Sequence, residues 1–259
     1  MFELVQAGAA TGRKTLLAGL SARFEPGRVT AILGPNGAGK STLLSLLAGS
    51  RRAVAGEVRL DGRPLAAHGA AQLAMRRALM AQQGQVAFEF TAREVVQLGR
   101  YPHRRRPARD EAGIVQRALE ATAADGLAGQ VFATLSGGEK ARVQLARALA
   151  QVWEPAPGGA ARWLLLDEPT AALDLAHQHQ SMRLARDWAH AEGAGVVAVL
   201  HDVNLALRYA DDALLLAGGR CCAFGPVAEV LEAGRISRVW QLPCDAVTGP
   251  GGVPQFLFH

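Results

Sequence analysis

Gly34-Pro35-Asn36-Gly37-Ala38-Gly39-Lys40-Ser41-Thr42 is the stretch on which the reading of the chain turns. It fits the pattern G-x-x-x-x-G-K-[S/T], and its flanks give that pattern meaning. Before it, Val29-Thr30-Ala31-Ile32-Leu33 is short, apolar and partly β-branched, which predicts a buried strand. After it, residues 43–48 predict a helix closed by Gly49. Glycines let the main chain wrap closely around an anion, with N–H groups pointing inward. The dipole of the following helix adds positive potential. Such a loop cradles nucleotide phosphates, with Lys40 reaching the β- and γ-phosphates and the Ser41 hydroxyl ligating Mg²⁺.

At 259 residues the chain suits one large domain or a core with a lobe, and 49% hydrophobic content supports a substantial core. No apolar run approaches the ~20 residues of a membrane span. Met1-Phe2-Glu3-Leu4-Val5 lacks a basic region followed by a long apolar stretch, so the expected location is the cytosol. Cys221 and Cys222 are adjacent and Cys244 stands alone, a spacing that predicts no metal site. The net charge of +5 chooses no partner by itself, whether nucleic acid, anionic membrane or acidic ligand.

Along the chain, residues 1–33 read as short strands with turns at Gly12 and Pro26-Gly27, and 56–60 as a strand ending at Asp61-Gly62. Residues 72–77 read as helix and 78–81 as a strand that delivers Gln82 and Gln83 to a loop. Thr91 and Glu94 match a capping box, and helical periodicity recurs over 110–124 and 139–153. Residues 153–163, with Pro155, Pro157, Gly158 and Gly159, predict a surface loop. Strands follow at 163–166, 196–200, 213–216 and 220–224, with a helix at about 175–192 and short helices near 226–239. Strand and helix alternation implies an α/β fold with a mixed, mostly parallel sheet covered by helices.

Asp167-Glu168 emerges at the carboxyl end of an apolar strand, where ligand chemistry collects in open α/β sheets. Asp167 is placed to hold Mg²⁺ and Glu168 to polarise a water attacking the γ-phosphate. Leu135-Ser136-Gly137-Gly138-Glu139 opens a helix read as 140–153, and its serine and glycines make a second anion site by the same backbone logic.

With these residues together, the chain resembles the ATPase subunits of ABC transporters over essentially its whole length. The resemblance places Walker A at residues 34–42, the signature at 135–139 and Walker B at 164–168. It places the D-loop at Ala171-Ala172-Leu173-Asp174, the switch histidine at His201 and the Q-loop glutamine at Gln82, a further Mg²⁺ ligand, with Gln83 as the second candidate. It implies a P-loop NTPase core over 1–90 and 153–259, RecA-like with N-terminal antiparallel strands, and a helical signature subdomain inserted at 91–152. It also implies a head-to-tail homodimer in which each ATP lies between the P-loop of one copy and the signature of the other. His201 then contacts the γ-phosphate. Two transmembrane permease subunits are the implied partners, on the cytoplasmic face of the bacterial inner membrane, with a periplasmic haem-binding protein acting indirectly.

One feature departs from the family. Its members commonly stack adenine on an aromatic residue some thirty positions before the P-loop lysine, where this chain has Ala9-Ala10-Thr11-Gly12. Losing a stack worth ~1–3 kcal/mol predicts weak adenine selectivity. The basic run His103-Arg104-Arg105-Arg106, with Arg100 and Arg109, reads first as a solvated loop and second as a contact for a partner or lipid headgroups. His177 and His179 fall on different helix faces and are not read as metal ligands.

Phe88-Glu89-Phe90-Thr91, Leu98-Gly99-Arg100-Tyr101-Pro102-His103 and His201-Asp202-Val203-Asn204-Leu205-Ala206 are similar to one branch, the ATPases of iron-siderophore, cobalamin and haem importers. With the Pro/Gly loop before Walker B, haemin-import subunits are the most similar. A DNA-repair or chromosome ATPase would carry long coiled coils or zinc modules between P-loop and signature, so no specific nucleic-acid partner is expected. A translation-factor type would carry two cassettes in one chain.

Overall fold

The computed structural model describes residues 1–81, 89–249, 252 and 254–259. In chain order, β1 (Phe2–Thr11) and β2 (Lys14–Phe24) form a hairpin, followed by β3 (Val29–Leu33) and α1 (Lys40–Ala48). β4 (Ala55–Leu60) and β5 (Arg63–Pro64) flank the turn at Asp61-Gly62. α2 (Ala70–Arg76) runs directly into β6 (Arg77–Met80). Three helices come next, α3 (Ala92–Leu98), α4 (Glu111–Ala121) and α5 (Gly137–Gln151). β7 (Trp163–Asp167), α6 (Leu175–Glu192), β8 (Gly195–Val199), α7 (Val203–Tyr209), β9 (Asp212–Ala217) and β10 (Arg220–Pro226) return to the sheet. α8 (Val227–Val230), α9 (Ala233–Trp240), β11 (Cys244–Thr248) and β12 (Pro254–Phe258) end the chain.

The central sheet has the order β10-β9-β3-β8-β7-β6. β6, β7, β8, β3 and β9 are parallel, and β10 closes one edge antiparallel. This is the mixed, mostly parallel sheet expected from the sequence. Both faces are buried, so the strands read as continuous apolar runs. Val29, Ala31 and Leu33 face the α5–α6–α7 side, while Ile32 turns to the α1 side. Trp163 and Leu165 alternate with Leu164 and Leu166 in the same way. A separate antiparallel sheet, β2-β1-β4-β5, covers α1.

α3, α4 and the outer face of α5 enclose their own cluster around Val95, Ile114, Leu119, Phe132 and Val143. The opposite face of α5 lends Leu145, Ala148 and Leu149 to the central core. Thr91 and Glu94 form the expected capping box on α3. A second box on Ser136 and Glu139 starts α5 at Gly137, three residues before the expected Lys140. The reason is local: Ser136 Oγ accepts from Glu139 N at 3.3 Å, while Glu139 Oε2 accepts from Ser136 N at 2.8 Å.

Three expectations are corrected. Arg100 is not part of a solvated run: it is 6% exposed and pairs with Glu111 (2.8 Å), Glu154 (2.6 Å) and the Ala150 carbonyl (2.7 Å). The segment 153–163 is not wholly at the surface, because Arg162 is buried and holds the Val152 and Trp153 carbonyls and Glu192. Nor does the core end near residue 239. The β11–β12 hairpin packs on α7, with Phe256 in the central cluster, and α7 was itself not anticipated. Among the described residues, no helix is long and apolar enough to cross a membrane.

Candidate functional site

β3 ends where the phosphate-cradling loop begins, and two glycines there could be nothing else. A Cβ at Gly34 (φ +146°) would meet the Leu216 carbonyl oxygen at 2.1 Å, and one at Gly39 (φ +101°) would meet Leu17 Cδ2 at 2.5 Å. Gly39 caps α1, and Lys40 opens it. The Lys40 ammonium is buried and donates to the carbonyls of Gly34 (2.8 Å) and Pro35 (3.1 Å), so it lies folded over its own loop. Burial pushes its pKa down, opposed by the carboxylates of Glu168 and Asp167.

The adjacent parallel strands β7 and β8 bring two further groups to this rim. Asp167 Oδ1 accepts from Ser41 Oγ at 3.0 Å. Burial pushes the Asp167 carboxyl above the usual range; the Ser41 hydrogen bond opposes this and the neighbouring Glu168 charge reinforces it. Glu168 follows directly, with φ +53°, a left-handed conformation uncommon for a residue with a side chain. His201, just past β8, places Nε2 at 2.7 Å from Glu168 Oε1.

A cleft of about 460 Å³ opens over these groups. Asn36, Gly37, Gly39, Lys40, Ser41, Thr42 and Glu168 line it. So do Lys14, Thr15, Leu16, Gly218 and Gly219, which sequence reasoning did not single out. The start of β2 and the β9–β10 turn meet there, Ala18 N donating to the Gly219 carbonyl at 2.9 Å. The available signals were slight: Lys14 is one of three lysines in the chain, and Gly218-Gly219 is a glycine pair between two strands.

Leu135, Ser136, Gly137, Gly138 and Glu139 do not line this cleft. They sit at the N-terminus of α5, where Gly137 and Gly138 rest against Ala172 of the Ala171-Ala172-Leu173-Asp174 segment. Asp174 caps α6 by accepting from His177 N at 2.9 Å and also meets His177 Nδ1 at 2.9 Å. His179 Nδ1 instead meets the Tyr209 hydroxyl at 2.9 Å. Gln82 and Gln83 lie outside the described residues.

A family model described as ABC transporter matches residues 17–171 of this chain. The chain belongs to the ABC transporter family. The hemin import ATP-binding protein HmuV of Methylobacillus flagellatus is 46% identical over 98% of this chain and 94% of its own length. Among solved structures, a chain of an inward-facing transporter assigned to the metal-chelate ABC type is 26% identical, with TM-score 0.81 over 100% of this chain and 96% of that one. A dimeric ATP-binding cassette bound to ADP and phosphate after hydrolysis is also 26% identical, with TM-score 0.76 over 88% of this chain and 99% of that one. As an ABC ATPase the chain binds and hydrolyses ATP.

Proposed function

We propose that this ABC ATPase powers hemin import across the bacterial inner membrane, bound to the cytoplasmic face of two permease subunits. The convergence of Lys40, the Ser41–Asp167 pair and the Glu168–His201 pair on one cleft is the observation that carries the ATPase part. The cargo rests on the HmuV relative, 46% identical along nearly the whole chain. Residues 91–152 act as an inserted helical lobe on a core of 1–90 and 153–259.

ATP enters the cleft with its phosphates against Gly34, Pro35, Asn36, Gly37, Ala38 and Gly39, and the backbone N–H groups before α1 hold them. Lys40 exchanges its two carbonyl partners for the β- and γ-phosphates, and Thr42 lines the same wall. Ser41 and Asp167 suit Mg²⁺, since they offer hard oxygen donors 3.0 Å apart and the buried carboxylate beside Glu168 gains from a cation. Gln82 completes that set in our reading. Mg²⁺ supplies charge neutralisation at the transferred phosphoryl group.

Glu168 orients the attacking water and accepts its proton, held in place by the His201 hydrogen bond. His201 then faces the γ-phosphate. Leu135, Ser136, Gly137, Gly138 and Glu139 lie away from the cleft of their own chain, so they complete the cleft of a second copy, with Asp174 at the same junction. A triphosphate shared by two half-sites links them, and hydrolysis removes the link. A periplasmic haem-binding protein delivers cargo without touching this chain.

Reconstituting the chain with its permease in vesicles and offering haemin, a ferric siderophore and cobalamin tests the reading. ATP-dependent uptake of haemin above the other two is expected. Uptake of a different cargo would remove hemin, and absence of ATP hydrolysis would remove the whole mechanism.

A further inference from the structure

A second cavity, of about 540 Å³, opens at the far end of α1 from the phosphate-cradling loop. The nine residues of the helix put the two some 13 Å apart, at about 1.5 Å per residue. Among the described residues, Arg51, Arg52, His68 and Arg77 line it against a single carboxylate, Glu57, which is already taken by Arg59 at 2.8 Å. Arg51 donates to the Ala10 carbonyl at 3.2 Å. Among the described residues, neither Arg52 nor Arg77 has a carboxylate within ion-pair distance.

Arg77 is the centre of this group. Its Nε is buried without a hydrogen-bond partner, and burial pushes its pKa down with no opposing carboxylate. His68 Nε2 donates to the Leu60 carbonyl at 3.2 Å, which leaves its buried Nδ1 unpartnered. The guanidinium lies against Gly49, where a Cβ would meet its nitrogen at 2.8 Å. It is not there to cap α1: the Leu46 carbonyl takes Gly49 N, and the Ser45 carbonyl takes Arg51 N and Ser50 Oγ. A half-buried cation without a partner costs stability, and an apolar residue of similar volume would cost less.

We propose that this cavity binds a phosphate-class oxyanion, held by Arg77 and His68 with Arg51 and Arg52 at its rim. Guanidinium groups match phosphate oxygens in forked geometry, and the unpartnered His68 Nδ1, an acceptor while Nε2 donates, can take the proton of a P–OH or headgroup hydroxyl. The volume exceeds what a bare phosphate fills, so the group is either free phosphate with water or the headgroup of an anionic lipid. This site is independent of the ATPase reading.

The test uses the full chain carrying Lys40→Met in every arm, which weakens anion binding at the phosphate loop, so that dependence on Arg77 reports the second cavity. Inorganic phosphate is followed by ³¹P line broadening, and vesicles of phosphatidylglycerol or phosphatidylcholine by flotation. Binding in the phosphate arm alone identifies the free anion, and binding to phosphatidylglycerol but not phosphatidylcholine identifies the headgroup. In either case Arg77→Met should weaken binding at least tenfold while raising the melting midpoint in phosphate-free buffer. His68→Asn, a second variant should Arg77→Met fail to fold, should also weaken binding. Silence in both arms, or binding that survives both substitutions, overturns the proposal.

Discussion

Glu168 Oε1 and His201 Nε2 stand 2.7 Å apart, each one or two residues beyond the end of neighbouring parallel strands. The pairing of β7 with β8 sets that distance, and the left-handed backbone of Glu168 aims the carboxylate. Glu168→Gln keeps an oxygen that can accept from His201 but loses the proton acceptor. We expect turnover to fall about 10²–10⁴-fold, the range of a general base. ATP binding should persist and a closed dimer should accumulate on size exclusion. Full ATPase activity in this variant would remove Glu168 from its role.

Asp167 gives a prediction of opposite sign for stability and function. Its carboxyl is held above the usual range, chiefly by burial, so the folded state retains the proton to higher pH than the unfolded chain. The folded protein therefore loses stability as pH rises from the ordinary carboxylate value through the raised one, and the full cost is present at neutral pH. Asp167→Asn should raise the melting midpoint at pH 7 and flatten that acid-side slope. The same change should abolish the Mg²⁺ dependence of ATP binding, measured by titration with and without the metal.

Among the described residues no aromatic side chain lines the phosphate cleft, and its outer wall is Lys14, Thr15 and Leu16. A missing stack leaves little to separate purine bases. Competition titrations should put ATP and GTP affinities within tenfold, less than about 1.4 kcal/mol apart.

Arg100 ties α4 to the end of α5 through Glu111, Glu154 and the Ala150 carbonyl. Its guanidinium holds the Glu111 carboxyl below the usual range, the hydrogen bond being the largest cause. That contribution is present above the unfolded carboxylate value and is lost as pH falls through the folded one. Breaking a fully buried pair costs about 3–5 kcal/mol, and here the partners are partly exposed, so Arg100→Met should cost about 2–3 kcal/mol. Urea denaturation at pH 7 measures the loss, and the variant should show a shallower acid decline than the parent.

Asn204 acts as a strand partner for the C-terminal hairpin. Its Oδ1 accepts from Phe256 N at 2.7 Å, and its Nδ2 donates to the Phe256 carbonyl at 3.1 Å. Asn204→Ala removes both bonds, about 1–3 kcal/mol in all. Hydrogen exchange should accelerate across β12, while the amides of β3 and β8 keep their protection.

Much of this was legible because it depends on near neighbours. The phosphate loop is a local conformation spelled by Gly34, Gly37 and Gly39, and the capping boxes at Thr91 and Ser136 need only the third residue on. α6 lay where its periodicity put it, at Leu175–Glu192. Arg100 was misread because charge alone suggests solvent, and its three partners lie 11, 50 and 54 residues away. The hairpin at the end was missed because its anchor, Asn204, is 52 residues upstream.

The sequence by itself determined the α/β class, the parallel strands and the positions of the phosphate loop, acidic strand end and signature turn. These follow from side-chain periodicity and backbone freedom within a few residues. Only the tertiary structure decided that Ser41 meets Asp167 across 126 residues, that Lys14 and Gly219 wall the same cleft, and that Arg77 lies half-buried with no carboxylate among the described residues to pair it. Those relationships depend on strand order and register. No local preference encodes these three features, because each arises only when distant apolar faces are packed together.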